Sequence, residues 1–196
     1  MAICAFWLGS CPFSVWLGLR FLGKDIRNYG DGNPGAANVF RAGSRKLGCL
    51  AVILDMAKGM PFVFLAHSFF GLPEVAIIVV ALSAILGHAF SPLLGLKGGK
   101  SVAVTLGVLV ALPQQEILMV FAIFILLGFL IIKIDAWKVM LGPVGSLAYL
   151  VATRGVSWES VFMLAVFIIL AIKHLDELKT VPRFRARLVH WFQPRR

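Results

Sequence analysis

Acidic residues are scarce in this sequence: nine Asp and Glu stand against nineteen Lys and Arg, for a formal net charge of +10. Charge of either sign is thin, at 14% of residues, where soluble proteins carry about 25%. That excludes a sizeable soluble domain with an activity of its own. Cysteine is rare too. Cys4, Cys11 and Cys49 form an odd, scattered set without metal-ligand spacing, which excludes a disulfide framework and leaves them as packing residues in apolar surroundings. The few carboxylates and histidines assemble no Ser-His-Asp, Cys-His or metal-ligand pattern. No cation precedes the first apolar run, Met1 to Leu19, so the start of the chain reads as a first transmembrane helix with its N-terminus outside, not as a cleavable signal peptide. The two halves show no inverted repeat, which counts against a secondary transporter.

What the sequence has in abundance is apolar residues. They make up 60% of the chain, against about 45–50% in soluble domains, and mean hydropathy is +0.91. The expectation is an all-α integral membrane protein. Apolar runs at Ala2–Leu22, Leu47–Phe70, Pro73–Leu96, Val102–Leu112, Ile117–Ile132, Trp137–Thr153 and Val161–Ile172 are candidate spans. Val102–Leu112 is short, covering roughly 16 Å of a hydrocarbon core near 30 Å. Either it merges with the next run past Pro113, or the loop before it sinks into the membrane. Irregular backbone at that depth is tolerated only where protein or a wet cavity surrounds it, so the short helix itself points to a site.

Cations test the topology. Seven spans with the N-terminus outside and the C-terminus cytosolic put Arg20, Lys24, Arg27, Arg41, Arg45, Lys46, Lys97, Lys100, Lys133 and Lys138 on one side with the tail, and only Arg154 on the other. The +10 charge is thereby accounted for without a nucleic acid. The chain reads as one membrane domain over residues 1–196. Its basic tail, residues 173–196, ends in PRFRARLVHWFQPRR, an interfacial anchor on anionic lipid.

Two polar loops interrupt the apolar pattern on the expected cytosolic face. The first, Lys24 to Lys46, holds Gly30, Gly32, Gly35 and Gly43, with Asn33 and Asn38 flanking Pro34-Gly35 and with Arg27, Arg41, Arg45 and Lys46 around them. Glycine lets backbone N–H groups turn towards one point, and adjacent cations suit that point to a phosphate or another oxyanion. The second runs through Lys97-Gly98-Gly99-Lys100 and opens a helix at Ser101, again an anion site of amides, helix N-terminus and ammonium groups. It is not a nucleotide P-loop, which requires glycine where Leu94 stands. Two such loops fit two phosphorylated ligands, or one ligand with two anionic groups.

Asp55 and Lys58 lie three apart within the second span and share a helix face. A charge there costs about 2.5–3.5 kcal/mol on insertion scales, so the two are expected to pair inside the bundle, either as structure alone or as support for the site. His88, near the inner end of the third span, is placed to bond a loop carbonyl; His67 reads as a core histidine; His174 follows the last span beside Asp176 and Glu177. Without a nucleophile, an enzyme built on these residues brings two activated reactants together and stabilises charge.

These motifs resemble one family over nearly the whole chain: the bacterial membrane acyl-phosphate:glycerol-3-phosphate acyltransferases, the PlsY type. The resemblance runs through Cys11-Pro12-Phe13, Gly23 to Arg27, Gly32-Asn33-Pro34-Gly35-Ala36-Ala37-Asn38, Arg41, Asp55-Met56-Ala57-Lys58-Gly59, Gly87-His88, Lys97-Gly98-Gly99-Lys100 and His174. It implies a seven-helix enzyme of the bacterial inner membrane, active at the cytosolic face, that moves an acyl group from acyl phosphate to the 1-hydroxyl of glycerol 3-phosphate. Lysophosphatidic acid and phosphate are the products, and no covalent acyl-enzyme and no cofactor are needed. Its partners are the two substrates, membrane lipids and the soluble enzyme that makes acyl phosphate. By resemblance, Asn33, Lys100 and His174 are catalytic. Gly32, Gly35, Asn38, Arg41, Arg45, Lys97, Gly98 and Gly99 bind substrate, and Asp55, Lys58 and His88 support them.

Four positions depart from the family pattern. Asp31 replaces a serine in Gly-Ser-Gly-Asn, Ala37 a threonine, Glu177 the asparagine after His174, and Ser101, more mildly, a glycine. A carboxylate at Asp31 repels a bound phosphate, by about 4 kcal/mol at 4 Å and an effective dielectric near 20. Asp31 must therefore be turned away, paired with an arginine, or incompatible with ordinary activity. The rival reading is an impaired paralogue that binds or carries lipid phosphates.

Overall fold

The computed structural model describes residues 1–182 and 184. Most of the tail sequence read as a lipid anchor lies outside the described residues. Among the described residues the regular elements are all helices, joined by turns and irregular loops, with one isolated antiparallel bridge between Ile132 and Phe184. They divide into two compact units, Met1–Gln115 and Glu116–Arg196.

In the first unit, α1 (Ala2–Ser10) stops because Pro12 has no N–H to continue it, and Cys11 turns extended. The chain restarts as α2 (Phe13–Leu17) and runs into a π-helical turn, Gly18–Leu22. Then come a short α3 (Ala36–Arg41) and α4 (Arg45–Ala57), whose first turn is capped by Ser44 Oγ accepting from Leu47 N at 3.2 Å. After Gly59, α5 (Pro61–Phe64) continues as a second π-helical turn, Leu65–Phe69. The unit closes with α6 (Glu74–Ala89) and α7 (Val102–Ala111). Helices pack here through small residues, which let backbones approach. A Cβ on Gly9 or Gly87 would strike the backbone of Ala84 or Phe6, so α1 lies directly against α6; Gly107 meets the Met56 carbonyl in the same way, joining α7 to α4.

The second unit contains α8 (Gln115–Ile131, from its second residue), α9 (Asp135–Arg154), α10 (Trp158–Lys173) and the single turn α11 (Leu175–Leu178). Gly128 admits the Lys138 backbone, and Arg154 pairs with both Glu116 and Glu159, tying the ends of α8, α9 and α10.

Among the described residues, three stretches are long and apolar enough to cross a membrane: Ala2–Leu22, Arg45–Phe69 and Glu74–Leu94. Val102–Ala111 and Gln115–Ile131 are shorter apolar helices. The two do not merge, because Leu112 is extended, with ψ 148°, ahead of Pro113. The cysteines differ from expectation. Cys4 and Cys49, on the outer sides of α1 and α4, are exposed, and Cys11, at the extended break after α1, is half-buried. His67 is half-buried in the Leu65–Phe69 turn rather than enclosed in a core.

Candidate active site

The first polar loop is anchored from beneath. Ile26 and Val39, both fully buried, enter an apolar cluster with Val15, Leu17, Ala42 and Ala51. Lys24 Nζ closes the loop on the Ala42 carbonyl at 3.0 Å. Arg27, one of the loop cations, is committed to Asp25 at 2.7 Å; that guanidinium hydrogen bond holds the Asp25 carboxyl below its ordinary pKa of 3.8. Gly30 (φ 57°) and Gly32 (φ 72°) take left-handed conformations that side chains resist. At Gly30 a Cβ would also lie 2.5 Å from Asn38 Oδ1 and 2.6 Å from an Arg41 guanidinium nitrogen. The glycine there makes room for both.

Asp31, between these glycines, is the hub. Its Oδ1 accepts from Asn33 N at 3.2 Å and from Asn38 Nδ2 at 3.0 Å, and its Oδ2 lies 2.6 Å from Lys100 Nζ. Arg41 Nη1 is 3.6 Å from Oδ1 and donates to Asn38 Oδ1 at 2.8 Å. Asn38, wholly buried, gives its second amide hydrogen to the Asn33 carbonyl at 2.8 Å. The carboxylate is therefore paired mainly with a lysine of the other loop, and only secondarily with the expected arginine. Partial burial pushes the Asp31 pKa up. The Lys100 ammonium and the bonds from Asn33 and Asn38 outweigh it and hold the carboxyl below its ordinary 3.8.

The second loop is clamped by His88. Gly99 N donates to the His88 carbonyl at 3.0 Å, a Cβ on Gly98 would collide with that carbonyl, and one on Gly99 with the imidazole Nε2. Both glycines are buried and deliver Lys100 to Asp31. Ser101, just ahead of α7, has φ 62°, a region that costs a side-chain-bearing residue about 1–2 kcal/mol. The departure from glycine at this position is therefore a strained one.

Beneath the loops lies a buried polar group. Lys58 Nζ is 2.7 Å from Asp55 Oδ1 and donates to the Cys11 carbonyl, released by the Pro12 break, at 2.9 Å. Ser14 Oγ donates to Asp55 Oδ2 at 2.9 Å, and His88 Nδ1 stands 3.9 Å from Asp55 Oδ1. Ser91 Oγ donates to the Ser10 carbonyl at 2.6 Å. A cavity of about 10 Å³ opens among Ser10, Cys11, Pro34, Lys58, His88 and Gly99, roughly the space of one water.

Of the residues singled out in the sequence, Asn33, Asn38, Arg41 and Lys100 meet at Asp31. Gly35 caps α3 so closely that a Cβ would lie 2.7 Å from the Asn33 amide. Arg45 and Lys97 are exposed and stand outside this hydrogen-bonded cluster. His174 belongs to the second unit; it is buried and donates from Nδ1 to the Leu170 carbonyl at 2.8 Å. Glu177, in that unit, lines a cavity of about 640 Å³ with Lys133, Asp135 and Thr180. Sequence reasoning missed Asp31 as the common partner of both loops. The available signal was its place two residues before Asn33 N, the spacing of an Asx turn. It also missed Ser14 and Ser91, whose roles depend on where α1 breaks.

Fold and site together define a helical membrane protein that concentrates ammonium, guanidinium and amide donors on one oxyanion. Comparison with known proteins narrows the class. The family model described as glycerol-3-phosphate acyltransferase matches residues 1–183. A glycerol-3-phosphate acyltransferase of Neisseria gonorrhoeae is 36% identical, over 87% of this chain and 86% of its own; one from Pelagibacter ubique is 34% identical over 91% of each. The crystal structure of PlsY, an integral membrane glycerol 3-phosphate acyltransferase, in its glycerol 3-phosphate form superposes with a TM-score of 0.84 at 26% identity, covering 98% of this chain and 97% of that one. The chain belongs to the glycerol-3-phosphate acyltransferase family.

Proposed function

We propose that this protein transfers a fatty acyl group from acyl phosphate to the 1-hydroxyl of glycerol 3-phosphate, without a covalent acyl-enzyme. The hydroxyl oxygen forms the new C–O bond at the acyl carbonyl, the C–O bond to phosphate breaks, and the hydroxyl proton leaves with the phosphate. Both substrates carry a phosphate and one carries an acyl tail, which matches an oxyanion cradle on a membrane scaffold. The mixed anhydride is already activated, so positioning and charge stabilisation suffice. The observation that carries this reading is the convergence of Asn33, Asn38, Arg41 and Lys100, drawn from two glycine-rich loops, on a single carboxylate.

In this reading Asn33 and Lys100 contact the transferring group, and His174 positions the glycerol. Gly32, Gly35, Asn38, Arg41, Gly98 and Gly99 shape the phosphate sites, while Arg45 and Lys97 attract the anionic substrates. Asp55, Lys58 and His88 hold the loops. The enzyme works as one domain in the bacterial inner membrane, with seven spans, its N-terminus outside and its loops and basic tail cytosolic; a soluble enzyme supplies acyl phosphate. The likeness to PlsY crystallised in glycerol 3-phosphate and lysophosphatidic acid forms supports this choice of acceptor and product.

The test is phosphate release by purified protein in lipid. Release that requires both acyl phosphate and glycerol 3-phosphate is expected, with lysophosphatidic acid formed in equal amount. A flat trace beside an active relative overturns the proposal in favour of a phosphate binder or carrier.

A further inference from the structure

We infer that Asp31 is a built-in competitor for the phosphate site: an incoming phosphate binds by taking donors that the Asp31 carboxylate holds. The inference rests on the proposed phosphate-binding role of these donors and adds a control on it, exerted by a residue with no part in the acyl transfer itself.

The argument is one of saturation. Asn38 has two amide hydrogens; one goes to Asp31 Oδ1 at 3.0 Å and the other to the Asn33 carbonyl at 2.8 Å. The single backbone hydrogen of Asn33 is directed to Asp31 as well, at 3.2 Å. Lys100 Nζ lies 2.6 Å from Oδ2, a charge-assisted contact between side chains only 20% and 31% exposed. A phosphate at this point therefore gains the Asn38 amide and the Asn33 N–H only as Asp31 releases them. It also meets a like charge unless the carboxylate swings out, which an exposed flank between Gly30 and Gly32 permits.

Binding is then an exchange, and apparent affinity is the intrinsic affinity reduced by the fraction of molecules in which Asp31 has let go. Such a competitor lowers the affinity of every oxyanion that uses these donors. Weak ligands fall below useful affinity while strongly held phosphates remain above it, with the ratio of their affinities unchanged. The same carboxylate joins the two loops, so the cradle is held assembled by the group that must move aside.

The experiment is calorimetric titration of inorganic phosphate, and separately of glycerol 3-phosphate, into the full-length protein in detergent, for the wild type, Asp31→Asn and Asp31→Ser. Both variants should bind each ligand more tightly, with Kd lower on the order of tenfold, equivalent to about 1.4 kcal/mol. Unchanged or weaker binding in the Asp31 variants overturns the inference, because Asp31 would then organise the donors rather than compete for them. Asp31→Asn keeps the side-chain shape and serves if Asp31→Ser does not fold. The titrations involve no turnover, so failure of acyl transfer in the wild type would overturn the proposed reaction and leave this result to be judged by itself.

Discussion

Lys100 Nζ stands 2.6 Å from Asp31 Oδ2, and this ion pair is where the two glycine-rich loops touch. It joins the carboxylate that would repel a phosphate to the lysine expected to bind one. Asn38, buried and bonded to both Asp31 and Arg41, completes the arrangement.

Loss of the Lys100 ammonium should be far more costly to turnover than to folding, since its side chain is partly exposed. For Lys100→Ala, and for Asn33→Ala, which removes the side-chain amide proposed to contact the transferring group and keeps the backbone N–H bonded to Asp31, kcat/KM for phosphate release should fall by on the order of 100-fold or more, as for removal of a donor to developing charge. Size exclusion and thermal unfolding should stay near wild type. Retained rates in folded variants would remove these two residues from the site.

The Asp31 carboxyl is held below its ordinary pKa of 3.8 by Lys100, Asn33 and Asn38 against the opposing effect of partial burial. A carboxyl with a depressed folded pKa contributes stability that is complete above its unfolded pKa and disappears as pH falls through the folded value. Thermal midpoints of wild type in detergent should therefore decline on acidification below about pH 4 more steeply than those of Asp31→Asn, which has no such proton to bind. Parallel curves would show that the pairing contributes no stability.

Asp55 and Lys58 are each at least 95% buried as residues and 2.7 Å apart. Removing one charge strands the other, at a cost of about 3–5 kcal/mol. Asp55→Ala and Lys58→Ala should each lower the thermal midpoint sharply or abolish folded protein. The double replacement by apolar residues should recover much of the loss. Singles as stable as the wild type would contradict the buried pair.

Ser101 carries φ 62° with only a 3.4 Å contact from its Oγ to the Ile85 carbonyl. Ser101→Gly should stabilise the protein by roughly 1 kcal/mol, the cost of a left-handed residue with a side chain, read as a rise in thermal midpoint. A fall would mean that the hydroxyl contact outweighs the strain.

The apolar runs, the glycine-rich loops and the three-residue spacing of Asp55 and Lys58 were legible because each depends on neighbours in sequence: bilayer length, backbone freedom and helix periodicity. Helices lie where the runs predicted, with Leu112 and Pro113 separating two of them. The cysteines were misread because apolar surroundings in sequence do not say which side of a helix faces outward, and Cys4 and Cys49 face out. What composition and spacing determined by themselves was a helical membrane scaffold with two glycine-rich, cation-bearing loops. The partner of each charge was decided only in three dimensions. Asp31 is satisfied by a lysine on another loop, and the Cys11 carbonyl, left over at a proline break, by Lys58. Such pairings follow from packing that brings distant backbone together, and no local pattern encodes that distance.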